Sequence, residues 1–233
     1  MSTAHRAVNG VLLLDKPSGI TSHAAMQKVR RLFNAEKAGH TGTLDPMATG
    51  LLPVCLGEAT KFSHLLLEAD KTYAATIRLG VTTTTGDLEG TVTAQSPVHA
   101  ERAKVAEVMR GFVGEILQIP PMYSAIKQGG KPLYKLARAG QEVPRAPRKI
   151  AIRSLTLIDL IGDELIVRVS CSKGTYVRVL AEDIGRELGC GAHLIALRRT
   201  RVGALRLDDA VTLEQLEQIQ LPERRVALLP VDE

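Results

Sequence analysis

The sequence predicts an α+β fold with a central mixed, mostly antiparallel sheet flanked by helices. Segments with the alternating apolar pattern of strands and segments with the apolar period of helices both occur along the 233-residue chain. They mix without the strict β-α-β alternation that builds a parallel sheet. With no internal repeat and no long linker, we expect a single domain over 1–233.

The first half of the chain places its elements around a glycine-rich loop that contains Asp45. Ser22 is positioned to cap a helix whose apolar side chains recur at helical spacing. The predicted elements are, in order, a buried strand at 10–15, a helix from Ser22, the Asp45 loop, a strand at 51–56, a helix at 58–68, a strand at 73–79, a Thr- and Gly-rich loop at 81–90 and a surface helix at 99–112.

The second half opens with a stretch, 120–147, that lacks a clean period and is rich in Gly, Pro and basic residues. This composition indicates a mobile protrusion rather than a core element. The remaining predicted elements are two strands at 150–160 and 165–171 around a Gly-Asp turn, an amphipathic helix at 175–188, a strand at 193–202 and a final helix at 211–219.

Composition excludes several classes of protein. The chain is 45% hydrophobic and 24% charged, as globular proteins are, and its apolar runs are too short to span a bilayer. The start, MSTAHRAVNG, has no apolar stretch behind its charges, so no secretory leader is expected. Three widely spaced cysteines predict reduced core thiols, a cytoplasmic location and no metal site.

Basic residues are clustered, which points to a polyanionic partner. The net charge is +5, and 127–153 holds eight basic residues against one acid. Two further clusters contain Arg198, Arg199, Arg201 and Arg206, and Lys28, Arg30, Arg31 and Lys37. One cluster alone would indicate a solvated face; three favour contact with a nucleic-acid phosphate backbone.

Asp45, followed directly by Pro46, has two interpretations. Asp before Pro in a glycine-rich loop commonly forms an ordinary turn. Alternatively, Gly42 and Gly50 let the loop approach a bulky ligand, and the carboxylate acts as a nucleophile. A nucleophilic carboxylate must stay ionised, and a guanidinium within about 4–6 Å lowers its pKa. Arg178, beside the unusual Lys-Gly-Thr-Tyr segment, is the candidate cation.

Aromatic residues are scarce, and the four tyrosines lie in the unusual segments. Tyr73 and Tyr176 are candidates for a pocket that stacks on an extruded RNA base, with core packing as the alternative. For Tyr134 both interpretations stand equally. His40 suits a general base, or stacking and hydrogen bonding with RNA. Asp45 and Asp87 together also allow a glycosidase-type acid/base pair.

Six segments resemble the TruB family of bacterial tRNA pseudouridine synthases. They are DKPSGITS (15–22), GHTGTLDPMATGLLPVCLGEATKF (39–62), KTYAATIRLG with TTTTGDLEG (71–90), PPMYSAIK (120–127), CSKGTYVR (171–178) and GCGAHLIALRRTRVG (189–203). The resemblance covers about 9–219. It implies the pseudouridine synthase fold, isomerisation of uridine 55 in the T loop after base flipping, and no cofactor or metal.

Roles follow from the same resemblance. Asp45 matches the aspartate that attacks the flipped uridine, either at the sugar or through a glycal-type route, and Arg178 matches its partner arginine. Tyr73 matches the tyrosine that stacks on the base and is implicated in proton removal. The matched RNA-binding residues are His40, which takes up space in the T loop, Tyr176 and Leu197 in the uracil pocket, Lys16, Asp87, and the thumb residues Lys127, Lys131, Arg138 and Arg145.

The family's thumb, which closes on RNA, corresponds to about 124–148. Members usually continue into a small RNA-binding domain of the PUA type, and none is expected within this chain. We expect a monomer that binds the T-arm stem-loop of tRNA and no membrane. Two rival functions are a tRNA-folding chaperone that needs no chemistry and an N-glycosidase that releases uracil.

Overall fold

The computed structural model describes residues 8–230. The prediction that no secretory leader is present was made on the start of the chain, and residues 1–7 of that start lie outside the described residues. The strands are β1 (Gly10–Lys16), β2 (Ala38–His40), β3 (Thr49–Leu56), β4 (Lys71–Leu79), β5 (Val81–Thr83), β6 (Val92–Gln95), β7 (Gly114–Gln118), β8 (Lys127–Gln128), β9 (Lys131–Pro132), β10 (Arg148–Ile161), β11 (Glu164–Cys171), β12 (Ala192–Val202), β13 (Leu205–Arg206) and β14 (Leu228–Leu229). The helices are α1 (Ser22–Leu32), α2 (Ser63–Glu68), α3 (Arg102–Gly111), α4 (Leu133–Arg138), α5 (Val177–Glu187), α6 (Leu213–Gln218) and α7 (Leu221–Arg224).

The described chain divides into two compact units. Unit 1 consists of Met1–Ala74 and Leu197–Glu233, as far as these are described, and unit 2 of Ala75–Ala196. The chain passes from one unit into the other within β4 and within β12. The single catalytic domain stays a prediction.

Unit 1 contains a mixed sheet with α1 and α6 packed on it. Strand β3 pairs antiparallel with β1 and β2 and parallel with β12, while β14 and β13 pair antiparallel with β1 and β12. Apolar side chains at helical spacing on α1 meet the inward residues of β1 and β3. The core of this face includes Leu12, Leu14, Met26, Val29, Phe33, Leu52, Val54, Leu213 and Leu216.

Unit 2 is built on an antiparallel hairpin. Strand β10 pairs with β11 on one side and with β7 on the other, and β11 neighbours β4 in the sheet. Alternate residues of β4 and β11 are buried, as a sheet with one covered face requires. The buried apolar residues include Ile77, Leu79, Val105, Met109, Ile150, Ile152, Val167, Val169, Leu180 and Ile184.

The predicted fold class, α+β with a mixed and mostly antiparallel sheet, is confirmed. Three local predictions were wrong. Thr21, not Ser22, caps α1, because its hydroxyl accepts the N–H of Ala24. The segment 58–68 is a 3₁₀ turn, Gly57–Phe62, followed by α2. The predicted loop 81–90 begins with β5, since its Val and Thr residues suit a strand and pair with β6.

The stretch 120–147 contains a short hairpin, in which β8 and β9 have two residues each, and the short helix α4. Its mobility stays a prediction. No helix in the described part of the chain combines the length and the apolar character needed to cross a membrane.

Candidate active site

Asp45 lies between β2 and β3. Residues 42–50 are here called the Asp45 loop, and the last two of them begin β3. Its carbonyl accepts the N–H of Ala48 at 3.0 Å, which closes a turn with Pro46 in second position. The fixed φ of proline favours that position. The residue is half-buried. The backbone turn therefore accounts for the Asp-Pro pair, and it is closed by the Asp45 carbonyl rather than by the carboxylate.

Four residues from 16–22 hold this loop. Ser22, which is 1% exposed, donates to the carbonyl of Leu44 at 3.0 Å and accepts its N–H at 2.8 Å. Ser22 was expected to cap a helix, and the structure gives its hydroxyl to the residue before Asp45 instead. Ser18 donates to the carbonyl of Met47 at 3.1 Å, and Gly19 N–H to the carbonyl of Pro46 at 2.8 Å.

Lys16 completes this support. Its side chain is fully buried, and Nζ donates to the carbonyls of Pro17 at 2.8 Å, Ile20 at 2.7 Å and Pro46 at 3.3 Å. An ammonium group inside the protein therefore ties the 16–20 segment to the residue that follows Asp45. Direct contact of Lys16 with RNA stays a prediction, and its burial favours a supporting role.

His40 ends β2 and leads into the Asp45 loop. Burial, then the charges of Arg199 and His23, lower the pKa of its imidazole below the ordinary value of 6.5. The ring is therefore neutral at physiological pH. Among the described residues, the buried His40 Nδ1 and Thr41 Oγ1 have no hydrogen-bond partner. A neutral ring with one nitrogen unengaged suits contact with a base better than contact with a phosphate.

In unit 2, Arg178 is a buried guanidinium held in place by Asp87. Nη1 donates to Asp87 Oδ2 at 3.1 Å, with side-chain exposures of 5% and 2%. Nη2 donates to the carbonyl of Tyr123 at 2.6 Å. Asp87 Oδ1 accepts Thr85 Oγ1 at 2.5 Å and the N–H of Glu89 at 3.1 Å. Both carboxylate oxygens of Asp87 are therefore engaged inside the protein.

Glu182, one helical turn beyond Arg178, packs against the turn that carries Asp87. A Cβ at Gly86 would lie 2.7 Å from the Glu182 carboxyl carbon, so a side chain there would have to displace the Glu182 carboxyl group. Burial and the charges of Asp183 and Asp87 raise the pKa of Glu182 above its ordinary value, against the opposing effect of Arg178. Sequence reasoning missed Glu182, which no motif distinguishes from a surface acid.

Tyr176 sits at the start of α5 and is fixed through its backbone. Gln118 accepts the Tyr176 N–H at 2.8 Å and donates to its carbonyl at 3.2 Å. The Arg178 guanidinium carbon lies 5.9 Å from the Tyr176 ring centroid. Gln118, 2% exposed, is a second residue that sequence reasoning missed.

The predicted base-pocket residues of unit 1 lie on two strands. Tyr73 is on β4 and is 8% exposed, and Leu197 is on β12 and half-buried. The structure thus brings Asp87, Arg178 and Tyr176 together within unit 2, while Asp45, His40, Lys16, Tyr73 and Leu197 belong to unit 1. The pairing of Asp45 with Arg178 and the roles of all these residues stay predictions.

The thumb segment presents basic side chains, with Lys127, Lys131 and Arg138 exposed. The guanidinium of Arg138 lies over the Tyr134 ring, 5.5 Å from its centroid. Arg145 is more enclosed: it donates to the carbonyl of Pro120 at 3.1 Å and to Glu142 at 3.2 Å. Arg145, Lys127 and Arg148 line a cavity of about 210 Å³.

The cluster around Arg198 was expected to face phosphates, and this is wrong for one member. Arg199 is 1% exposed. Arg198 forms an ion pair with Asp15 at 2.6 Å and Arg206 forms one with Asp208 at 2.7 Å, both partly exposed. Strand β12 does not alternate strictly between buried and exposed residues, so a period of two does not identify the enclosed arginine.

The three cysteines are buried free thiols, as predicted. Burial raises the pKa of Cys55 to about 11. Within residues 8–230, no group of three or more His, Cys, Asp or Glu side chains is placed to hold a metal ion.

Comparison with known proteins identifies the protein family that this chain resembles. The model for the N-terminal domain of TruB family pseudouridylate synthases matches residues 30–177, and that for the tRNA pseudouridylate synthase B C-terminal domain matches 178–233. The tRNA pseudouridine synthase B of Aromatoleum aromaticum is 61% identical, over 97% of this chain and 74% of that protein. The same-named protein of Dechloromonas aromatica is 60% identical, over 98% of this chain and 77% of that protein.

Solved structures agree with these matches. A chain of a Cbf5–Nop10–Gar1 complex superposes with a TM-score of 0.76 at 32% identity, covering 98% of this chain and 61% of that one. A chain of an H/ACA RNP bound to a substrate RNA containing 2'-deoxyuridine gives 0.70 at 30% identity, covering 96% and 59%. This chain therefore spans about three-fifths of those solved chains.

The fold and the matches define an isomerase of the pseudouridine synthase class. Family models cover the sequence from residue 30 to its last residue, and relatives with about 60% identity cover nearly all of it. The chain belongs to the TruB family.

Proposed function

We propose that this protein converts uridine 55 in the T loop of tRNA to pseudouridine, using Asp45 as the nucleophile on a flipped base. The observation that carries the proposal is the support of the Asp45 loop: Ser22, Lys16, Ser18 and Gly19 fix its backbone on both sides of Asp45. A side chain that must meet a reacting atom needs such support, whereas an exposed turn does not. The names of the relatives supply the substrate class, tRNA.

The reaction conserves atoms and mass. The bond between uracil N1 and ribose C1' breaks, the base rotates, a bond forms between C5 and C1', C5 loses its proton and N1 gains one. No redox partner is needed. The Asp45 carboxylate either attacks the sugar as the bond to N1 breaks, or acts through a glycal-type route. Tyr73 stacks on the base and takes part in removal of the C5 proton.

Arg178 is the cation that keeps Asp45 ionised. Arginine suits this task because it does not lose its proton at physiological pH. Asp87 and the Tyr123 carbonyl hold two of its terminal nitrogens, so its position costs no reordering when RNA binds. We assign Asp87 to this supporting role rather than to RNA contact or to a glycosidase-type acid, because it is 1% exposed.

RNA binding uses the remaining predicted residues. Tyr176 and Leu197 line the uracil pocket, and His40, neutral because of its lowered pKa, fills the space that the flipped base leaves. Flipping costs a few kcal/mol, which stacking and phosphate contacts offset. The thumb residues Lys127, Lys131, Arg138 and Arg145 contact the phosphate backbone of the T arm. We expect a cytoplasmic monomer that needs no cofactor.

The experiment uses a T-arm stem-loop and carbodiimide-adduct primer extension, since the product has the same mass as the substrate. The wild type should give one stop, at uridine 55. Asp45→Asn should give none, while Asp163→Asn, the same change on an exposed turn carboxylate, should behave as the wild type. Normal pseudouridine formation by Asp45→Asn would end the proposal. Release of free uracil would indicate the N-glycosidase instead.

A chaperone role is a second candidate, favoured by the exposed basic thumb and by the extent of the basic clusters. It predicts that Asp45→Asn still accelerates folding of a full-length tRNA. Loss of folding activity together with catalysis would count against it.

A further inference from the structure

Arg199 is a cation enclosed within unit 1, and its partners in the Asp45 loop differ from those of Ser22 and Lys16. It is 1% exposed and lies on β12, where it pairs in parallel register with Gly50 of β3. A buried guanidinium is costly unless its donors are satisfied. Its partners therefore indicate what the protein gains from it.

Those partners are backbone carbonyls at the two ends of the Asp45 loop. Nε donates to the carbonyl of Leu51 at 2.7 Å, directly after the loop, and Nη2 donates to the carbonyl of Gly42 at 3.2 Å, where the loop begins. One planar group thus joins the entry and the exit of the segment that carries Asp45. The guanidinium therefore adds to the pairing of β2 with β3 in holding the two ends of the loop.

The backbone around Arg199 is equally constrained. A Cβ at Gly50 would lie 2.3 Å from the Arg199 carbonyl oxygen, so β3 and β12 touch there without room for a side chain. Gly42 has φ +107, a conformation that other residues rarely adopt. The interpretation in which both glycines admit a ligand does not hold at Gly50, where the backbone of Arg199 takes the space.

No other side chain reproduces this geometry. Arginine carries five N–H donors in a fixed fork, whereas lysine presents one compact ammonium on a flexible stem. The Arg199 charge also contributes to the lowered pKa of His40, which immediately precedes the loop. Arg199 therefore both holds the backbone of the loop and favours the neutral form of His40.

We propose that Arg199 is a positioning residue for Asp45, which joins Gly42 to Leu51 and so fixes the carboxylate in its reactive place. This inference rests on the proposed function of Asp45. It assigns Arg199 a part in the reaction although the side chain is too enclosed to contact RNA.

The test compares Arg199→Lys with Arg224→Lys. Arg224 is the matched control because its guanidinium also donates to two backbone carbonyls of unit 1, those of Leu216 and Leu32, neither of which belongs to the Asp45 loop. For each variant we would measure kcat and KM on the T-arm stem-loop, the urea midpoint, and hydrogen exchange of a peptide covering residues 42–51.

We expect Arg199→Lys to lower kcat by about 10- to 100-fold with KM changed by less than about threefold, since a displacement of about 1 Å can cost about 10²-fold. Exchange in 42–51 should rise. Arg224→Lys should lower the urea midpoint without changing kcat. If Arg199→Lys fails to fold, Arg199→Gln, which keeps one amide donor, serves in the same comparison.

Two outcomes would overturn the proposal. One is unchanged exchange in 42–51, which means that Arg199 does not hold the loop. The other is a loss of kcat no greater than that of Arg224→Lys at equal loss of stability, which means a purely structural role. Failure of the proposed function is separate, because it appears as activity in Asp45→Asn, whereas the exchange measurement does not depend on catalysis.

Discussion

Two serines donate to carbonyls of the Asp45 loop and differ mainly in burial, which makes them a direct test of how the loop is held. Ser22 is 1% exposed and makes two hydrogen bonds with Leu44, whereas Ser18 is exposed and makes one, to Met47. Replacing each with alanine removes only a hydroxyl. The expected losses of stability differ because water replaces the lost partner only at the exposed site.

Ser22→Ala leaves the N–H and the carbonyl of Leu44, a residue that is 3% exposed, without their partner. Each buried unsatisfied group costs about 1–3 kcal/mol, so the free energy of unfolding should fall by about 2–4 kcal/mol, allowing for partial relaxation. Ser18→Ala should cost less than about 1 kcal/mol, because its carbonyl partner is exchanged for water.

The assay is urea unfolding of both variants and the wild type, followed by single-turnover kinetics. The urea midpoint should fall for Ser22→Ala with an unchanged slope, which indicates a change in stability rather than in the unfolded state. Its rate of pseudouridine formation should fall by about tenfold or more. Equal losses of stability for the two variants would refute the reasoning, because burial would then not determine the strength of the support.

Three further predictions concern charged and ionisable groups. Asp87→Ala leaves the Arg178 cation buried without its carboxylate and should cost about 3–5 kcal/mol in urea unfolding, whereas Asp159→Ala, which breaks a half-exposed pair with Arg102, should cost less than about 1 kcal/mol. Burial raises the pKa of Glu182, so the folded state binds its proton more tightly than the unfolded state does. The contribution of this residue to the free energy of unfolding therefore falls as pH rises above 4.5. Glu182→Gln should remove that part of the loss of stability with rising pH. Burial of all three cysteines, with the pKa of Cys55 raised to about 11, predicts no reaction of the native protein with a thiol reagent at pH 7 and reaction of three thiols after unfolding; rapid labelling of the native protein would contradict it.

Local pattern was enough to predict the sheet hairpin and most helices. Strands β10 and β11 follow from apolar alternation on both sides of a Gly-Asp turn, and α1 and α5 follow from apolar residues at helical spacing. The sequence also predicted that Asp45 lies in a loop, because Gly and Pro residues are typical of turns.

The hydrogen bonds that hold the Asp45 loop could not be predicted from the sequence, because they come from side chains that are distant along the chain. Ser22 has the chemistry of a helix cap and stands at a helix start, yet its hydroxyl bonds to Leu44. Arg199 stands in a basic run that resembles a phosphate-binding surface, yet its partners are Gly42 and Leu51. Such choices depend on which strands become neighbours, and a local pattern does not record that.

The same limit applies to charge. Asp87 and Arg178 are separated by 91 positions and form a buried ion pair, which sequence reasoning did not propose. It assigned the arginine to Asp45 alone, first as the candidate cation beside the Lys-Gly-Thr-Tyr segment and then by the family resemblance. Burial at both ends of the pair is what separates a fixed internal cation from a surface one.

The central claim, that the Asp45 carboxylate is the nucleophile, is tested most directly by single-turnover tritium release from uridine labelled at carbon 5 in a T-arm stem-loop. With saturating enzyme, the wild type should release tritium, and Asp45→Asn should release it at least about 10³-fold more slowly, a difference of about 4 kcal/mol in the barrier. RNA binding by the variant should stay intact. Release by Asp45→Asn at a rate close to that of the wild type would contradict the account.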